Sequence, residues 1–203
     1  MSNMSTQDAN AASHRNLLVV ITSAGIIVLL ALISAFVWPG WAFNHEVVPA
    51  KSHISSPKTP SIPAKALPAN ATVLLKSMPD SVLDFARVSA VPSANWSDAT
   101  PLEEYTLKYD TGEADGEVTL TVAQWSTRDS ANKQYESAYD SLKGDDIVSG
   151  KIMIADKAVG NYVVRSDEGD KRRAKALWQN DTAVFEVSGS RQSVERFYRT
   201  FPM

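Results

Sequence analysis

Cysteine is absent from this chain, and histidine is absent after His53. Without cysteine there is no disulfide framework, no thiol nucleophile and no thiolate ligand. For a domain outside the cytoplasm, this favours a bacterial envelope over a eukaryotic secretory route. Without histidine, residues 71–203 lack the base of Ser/His/Asp and Cys/His sites and the nitrogen ligands of zinc. The sequence therefore argues strongly against nucleophilic hydrolases of these kinds and against zinc enzymes.

The C-terminal two thirds of the chain also carry fewer positive than negative residues. Residues 66–203 carry 16 Lys and Arg against 21 Asp and Glu, a net charge of −5. Binding to nucleic acid requires clustered cations, so no nucleic-acid partner is predicted. The glycines are dispersed single residues that form no phosphate-binding loop, and no cofactor is predicted.

The most prominent feature that is present is an uncharged apolar run of 22 residues, Leu17–Trp38. As a helix it would measure about 33 Å, close to the roughly 30 Å hydrocarbon core of a bilayer. We therefore predict one N-terminal transmembrane helix in contact with membrane lipid, with Trp38 and Trp41 at the interface. Two alternatives stay open, namely a buried core helix and a cleaved signal peptide, which usually has a shorter apolar region.

This run divides the chain into four regions. Residues 1–16 are predicted to be a disordered cytoplasmic tail, since Arg15 is the cation nearest the run and positive residues favour the cytoplasmic side. Residues 17–38 are the predicted helix. Residues 39–70 are a Pro-rich linker, because the prolines prevent a helix or a central strand. Residues 71–203 are predicted to form an extracytoplasmic domain, which makes this a single-pass protein of the plasma membrane.

Hydrophobic periodicity predicts an α+β domain beyond the linker. Alternating patterns indicate an antiparallel sheet of about six to seven strands, with two amphipathic helices on one face. The first helix is expected to begin at Ser126 and end near Gly144, and the second to begin at Ser190 as its cap. The last hairpin is expected to turn at Asn180 and Asp181. The expected strands are Val82–Val91, Glu103–Tyr109, Glu117–Trp125, Ile147–Ile154, Asn161–Ser166, Ala174–Gln179 and Thr182–Ser188.

Two stretches carry a resemblance to known proteins. Val118–Tyr139 (VTLTVAQWSTRDSANKQYESAY) is a strand that runs into a capped helix, and Ala176–Phe201 (ALWQNDTAVFEVSGSRQSVERFYRTF) is a hairpin followed by a helix. In the order of these elements, residues 75–203 resemble small extracytoplasmic domains of actinobacterial membrane proteins with a PsbP/Mog1-type α+β fold. The resemblance implies a binding or assembly role and assigns no functional residues.

Two groups of residues are candidate ligand contacts. Trp96 lies in a loop between predicted strands, where it either contacts a ligand or pins the loop to the core. The basic cluster Lys171, Arg172 and Arg173 either contacts an anionic envelope polymer or partner, or is neutralised by the acids beside it. Both groups are therefore predicted as sites with a structural alternative.

An acidic loop contains Asp110, Glu113 and Asp115. Its spacing does not match an EF-hand, in which ligands at fixed positions surround an invariant glycine. No metal site is predicted for this reason, and the loop is expected to be a solvated hairpin tip. Binding of Ca²⁺ is the alternative.

Together these features predict a membrane-anchored, extracytoplasmic binding or interaction module of a bacterial cell envelope, without catalytic activity. The expected partner is a protein or an envelope polymer. One alternative is an accessory or assembly subunit of a membrane protein complex, in which residues 17–38 supply the specificity. Another is a carboxylate-based hydrolase of wall polysaccharide, which requires two acids that converge in a cleft.

Overall fold

Eight β-strands form one antiparallel sheet in this computed structural model, which describes residues 59–154 and 157–202. The strands are Ser81–Val82 (β1), Phe85–Pro92 (β2), Glu103–Asp110 (β3), Val118–Gln124 (β4), Asp146–Ile154 (β5), Lys157–Ser166 (β6), Arg173–Asn180 (β7) and Ala183–Ser190 (β8). Their order across the sheet is β1-β2-β3-β4-β8-β7-β6-β5, so β7 and β8 are interior and β5 is an edge. The helices are Val73–Ser77 (α1), Arg128–Ser141 (α2) and Arg191–Thr200 (α3), with a short 3₁₀ helix at Ser97–Ala99.

The interior strands β7 and β8 are apolar on both faces. In β7, Leu177 and Trp178 are adjacent and buried, and the same holds in β8 for Val184 and Phe185. Because consecutive strand residues point to opposite faces, each face of the sheet presents large apolar side chains at its centre. Both faces must therefore be covered, and α2 and α3 cover them from opposite sides.

Helix α3 covers one face with aromatic side chains. Phe197 lies against Phe85 and Tyr109, with ring centroids 5.6 and 5.0 Å away. Phe201 packs edge-on against Trp178 at 5.6 Å. All five rings are buried, so their removal from water stabilises the docking of this helix.

Two polar contacts fix the position of α3. The side chain of Ser190 accepts a hydrogen bond from the N–H of Ser193 at 3.2 Å, which confirms Ser190 as the predicted cap. Farther along the helix, Arg196 forms an ion pair with Asp84, in the turn between β1 and β2. The guanidinium of Arg196 also lies 5.1 Å from the ring centroid of Phe85. The last helix is thus tied to the first hairpin of the sheet.

Helix α2 lies over β7 and β8 on the opposite face. It begins after Thr127, whose side chain accepts from the N–H of Ser130 at 3.1 Å, one residue later than the predicted cap Ser126. Its buried side chains meet small and branched residues of the sheet, which lets the helix approach closely. The resulting cluster contains Ala123, Trp125, Ala131, Tyr135, Ala138, Leu142, Val163, Leu177 and Val184.

Strand β2 carries a buried cation, Arg87, which is 1% exposed. Its guanidinium donates to the carbonyls of Met78 and Pro79, at 3.1 and 2.9 Å. It also donates to the carbonyl of Lys65 at 3.2 Å and pairs with Asp80. A buried cation is stable only when its donors find acceptors, so Arg87 fastens the chain around Lys65 and the segment after α1 to the sheet.

The predicted fold was wrong in strand number and in helix placement. The sheet has eight strands instead of six to seven. The expected strand Val82–Val91 is interrupted at Leu83, whose φ of 52° opens a turn between β1 and β2. The two longer helices lie on opposite faces instead of one, because the interior strands are apolar on both faces. Helical spacing identifies the apolar side of a helix, but it does not identify the sheet face that this side meets.

The predicted N-terminal transmembrane helix, part of the same fold prediction, is not supported. Among residues 59–154 and 157–202, no helix is long and apolar enough to cross a membrane. The stretch Leu17–Trp38, on which that prediction was based, lies outside the described residues.

The β7–β8 hairpin turns one residue later than predicted. Asn180 pairs with Ala183, which leaves Asp181 and Thr182 as the turn, with a φ of 51° at Asp181. Trp178 therefore pairs directly with Phe185, and the two rings stack with centroids 5.2 Å apart. Each residue of β7 therefore pairs with a residue of β8 two positions beyond the expected one. Because side chains alternate with a period of two, every side chain stays on its expected face.

Replacement of Arg87 by leucine is expected to lower the free energy of unfolding by about 2–4 kcal/mol, because buried carbonyls lose their donors. Urea denaturation of the full chain measures this change. Arg172→Leu serves as the control, since Arg172 is exposed, and it should leave stability unchanged. Equal midpoints for Arg87→Leu and Arg172→Leu would show that Arg87 does not anchor these segments.

Candidate ligand groove

An open groove lies between α2 and the edge of the sheet formed by β5 and β6. Its volume is about 610 Å³, within the range of roughly 300–1,000 Å³ that is common for ligand sites. One wall is a helix and the other is a pair of hydrogen-bonded strands, so both walls are regular secondary structure. The lining residues are Tyr135, Glu136, Tyr139 and Asp140 of α2, Ser149, Gly150 and Lys151 of β5, and Asn161 and Tyr162 of β6.

The helical wall of the groove is aromatic. Tyr135 and Tyr139 are one turn apart in α2, and their ring centroids are 6.2 Å apart with an interplanar angle of 30°. Tyr135 is buried, whereas Tyr139 is half-buried and packs against the core cluster. Two rings at this spacing form a continuous apolar surface with polar hydroxyl ends.

Arg165 of β6 holds this wall in place. Its guanidinium lies 4.4 Å from the ring centroid of Tyr139. It also donates to the carbonyl of Tyr139 at 3.2 Å and to that of Leu142 at 2.7 Å, where α2 ends. Asp146 of β5 accepts a further hydrogen bond from the same guanidinium at 2.5 Å. One side chain therefore joins the C-terminus of α2 to β5 and β6, and cations are favourable at that end of a helix.

The rim of the groove is charged. Glu136 and Asp140 are exposed on α2, and Lys151 is exposed on β5. Glu136 accepts a hydrogen bond from the side-chain amide of Asn132 at 2.7 Å. The helical side of the rim is therefore acidic, and the strand side carries a single lysine.

Gly150 makes room for Tyr162, whose ring lies on the α3 face of the sheet, 6.3 Å from that of Tyr198. In the register of β5 and β6, Gly150 lies opposite Tyr162. A Cβ atom at this position would lie 2.8 Å from Cε1 of Tyr162, closer than real Cβ contacts. The aromatic ring can occupy this place only because residue 150 has no side chain.

The predicted site residue Trp96 lies on the other side of α2. Its ring is 6.2 Å from that of Trp125, and together with Lys175 and Glu186 it lines a smaller cavity of about 190 Å³. The backbone N–H of Trp96 donates to the carboxylate of Glu104 at 2.9 Å, and this buried carboxylate also accepts two further hydrogen bonds from the same loop. Trp96 thus packs on the core cluster and faces a cavity as well.

Two residues of the basic cluster, Lys171 and Arg172, lie in the turn between β6 and β7. Lys171 donates to Asp145 at 2.7 Å, and Arg172 forms two 3.0 Å hydrogen bonds with Asp170. These cations hold the pKa values of both carboxyl groups below their ordinary range. Arg173 contributes the first residue of β7. The structure therefore places Lys171 and Arg172 in local ion pairs and does not bring them to the groove.

The acidic loop connects to α3 through its backbone. Asp110 accepts a hydrogen bond from the N–H of Gly112 at 2.9 Å, and Glu113 follows in the same turn. The carbonyl of Asp115 accepts hydrogen bonds from the hydroxyls of Ser190 and Ser193, at 3.1 and 3.0 Å. Within residues 59–154 and 157–202, no three His, Cys, Asp or Glu side chains are grouped so that they could hold a metal ion.

The groove residues did not emerge from the sequence as a site. Tyr135 and Tyr139 match the helical spacing of a core face, and Asn161 and Lys151 stand in ordinary strand patterns. The available signal was the pair of tyrosines at i and i+4 with an acid directly after each. That pattern places aromatic and acidic side chains on neighbouring stripes of one helix.

Comparisons with known proteins assign no family. No family model matches the chain, and no curated protein matches it. It is similar to a GTP-binding regulator from Thermotoga maritima, with a TM-score of 0.41, 12% identity, and 60% of this chain and 78% of that chain covered. It is also similar to the extracellular domain of PknH from Mycobacterium tuberculosis, with a TM-score of 0.37, 10% identity, and coverage of 57% and 82%. At TM-scores this low, neither similarity carries an argument about fold or function.

The phenol of Tyr135 is expected to ionise at a higher pH than an exposed tyrosine. Burial raises its pKa from 10.0 to about 12, and the neighbouring Tyr139 acts in the same direction. Because the folded-state pKa lies above the unfolded one, this phenol's contribution to stability is complete below pH 10 and is lost as the pH rises to about 12. The ultraviolet absorbance of phenolate, compared between the wild type and Tyr135→Phe, isolates this group. A difference spectrum with its midpoint near pH 10 would contradict the buried position of Tyr135.

Proposed function

We propose that residues 59–202 form a non-catalytic binding module whose ligand occupies the groove between α2 and β5–β6. The observation that carries this proposal is the fixed aromatic wall. Tyr139 is held by the guanidinium of Arg165, which also closes the end of α2. A wall that is already ordered loses little side-chain entropy when a ligand binds, and this favours recognition.

The carboxylates of the groove support binding over hydrolysis. Glu136 and Asp140 are four residues apart on α2, so both approach a ligand from the same wall. Cleavage of a glycosidic bond by two carboxylates requires them to flank that bond, at separations of roughly 5–10 Å across it. The opposite wall offers Ser149, Lys151 and Asn161, which suit hydrogen bonding.

Location outside the cytoplasm is part of the same proposal. Its support is the order of elements in residues 75–203, which resembles that of small extracytoplasmic domains of membrane proteins. Protease added to intact spheroplasts should degrade the C-terminal module if this location is right. Protection of the module until the cells are lysed would contradict it.

Blocking the groove tests the binding proposal. The full chain in mild detergent is titrated with two probes, soluble N-acetylglucosamine oligosaccharides and a pool of short random-sequence peptides. At least one probe should shift the NMR signals of Tyr139 and the Asn161 side chain. Ser149→Trp, which fills the groove, should weaken that binding by at least about tenfold.

The matched control is Lys133→Trp, which adds the same side chain at an exposed position of α2 that does not line the groove. It should bind the probe like the wild type. Absence of any shift in the groove, or equal binding by Ser149→Trp and Lys133→Trp, would overturn the proposal. Turnover of a probe that is lost on replacing Glu136 and Asp140 would overturn its non-catalytic part.

A further inference from the structure

The groove is bordered by the edge of the sheet. Strand β5 is the last of the eight strands and pairs with β6 alone among the described strands. The N–H of Ser166 donates to the carbonyl of Asp145 at 3.0 Å, whereas the N–H of Asp167 donates to the carbonyl of Arg173 at 2.9 Å. Backbone groups alternate in direction along a strand, so even-numbered residues of β6 face β5 and odd-numbered ones face β7.

This alternation identifies the backbone groups of β5 that face away from β6 and pair with no other described strand. Its residues opposite the even positions of β6 are Val148, Gly150 and Ile152, which therefore turn their N–H and C=O groups toward β6. The residues between them, Ser149 and Lys151, turn theirs toward the open edge. Both of these residues also line the groove. The outward backbone groups of β5 and the aromatic wall of α2 therefore border the same groove.

We propose that the ligand of this groove is an extended segment of another polypeptide, which adds a ninth strand along β5. This inference rests on the proposed function and specifies its ligand. The backbone of the segment pairs with Ser149 and Lys151. Every second side chain then points to the face that carries α2 and enters the groove. Strand addition of this kind obtains affinity from main-chain hydrogen bonds and specificity from alternate side chains.

The length of the docking edge is set by two irregularities. The register of β5 shifts between Asp146 and Val148 and again between Ile152 and Met153. Regular pairing is thus confined to Val148–Ile152. Bulges and edge lysines limit uncontrolled pairing of sheet edges, and here they leave a short window beside the groove. The bound segment should accordingly pair over about five residues, at the usual length of a strand.

Charge selects the kind of polypeptide. The α2 wall presents Glu136 and Asp140, so a segment with Lys or Arg at alternate positions is complementary to it. Aromatic or branched side chains at other positions of the same alternate set also enter the groove, where they would pack on Tyr135 and Tyr139. A second copy of this chain, paired through β5, would bring its own acidic α2 wall toward this one. Repulsion between the two walls therefore favours a basic partner over a second copy.

The test selects binders and then removes one backbone donor. A displayed library of random peptides is panned against the full chain in mild detergent, and the selected peptides are measured against variants at position 151. Lys151→Pro removes the outward N–H and spares the bonds to β6, because proline is tolerated where the N–H faces solvent. Lys151→Ala is the matched control, since it removes the charge and keeps the donor.

The proposal predicts enrichment of peptides in which every second residue is basic or aromatic, because these are the side chains that enter the groove. Their affinity for Lys151→Pro should be at least about tenfold lower than their affinity for Lys151→Ala, since both variants lack the lysine side chain and only the proline lacks the N–H. Hydrogen exchange gives an independent readout that needs no variant. The amides of Ser149 and Lys151 should become protected in the wild type when peptide is added, while that of Gly150 is already protected.

Several results would overturn strand addition. One such result is a peptide whose binding is blocked by Ser149→Trp but is equal for Lys151→Pro and Lys151→Ala. The peptide would then bind in the groove without pairing with the backbone of β5. If the oligosaccharides bound in the groove and no peptide did, the ligand would not be a polypeptide and strand addition would be wrong. Another is a chain that dimerises in the absence of peptide and becomes monomeric in Lys151→Pro. The edge of β5 would then pair with a second copy of the chain. Failure of every probe to reach the groove would overturn the proposed function as well.

Discussion

The burial of β7 and β8 on both faces is the constraint on which this architecture depends. Leu177 and Trp178 are neighbours in β7, and each supports a different half of the core. A sheet that is apolar on both sides cannot leave either side in water, so a helix is required on each. Helix α3 supplies aromatic rings to the face of Trp178, and α2 supplies small residues and a tyrosine to the face of Leu177. Helix α2 packs on β7 and β8, and the groove lies between the helix and the neighbouring strands β5 and β6.

Local patterns in the sequence were sufficient for the elements that are determined by local chemistry. Ser190 could be identified as a cap because its hydroxyl satisfies a nearby backbone N–H, whatever surrounds it. The helix faces were not predictable in this way, since they depend on which sheet face each apolar stripe meets. The break at Leu83 carried no glycine or asparagine to reveal it. Its left-handed backbone is maintained in a turn where Asp84 pairs with the distant Arg196.

The site was less predictable than the fold, for a related reason. Trp96 stands out in the sequence because an aromatic residue in a loop departs from the local pattern, and the structure places it beside a cavity and against the core. Tyr139 fits the local pattern of a core residue, and only Arg165 of a separate strand sets it in the wall of a groove. Contacts of this type join positions far apart in the chain, so periodicity does not reveal them.

A crystal structure of the full chain bound to a peptide selected on it would show directly whether the peptide adds a strand to β5. We expect the peptide to form a ninth strand paired with β5, with its backbone bonded to Ser149 and Lys151 and alternate side chains against Tyr139. A peptide bound on the α3 face, or beside Trp96 with the β5 edge left open, would contradict it.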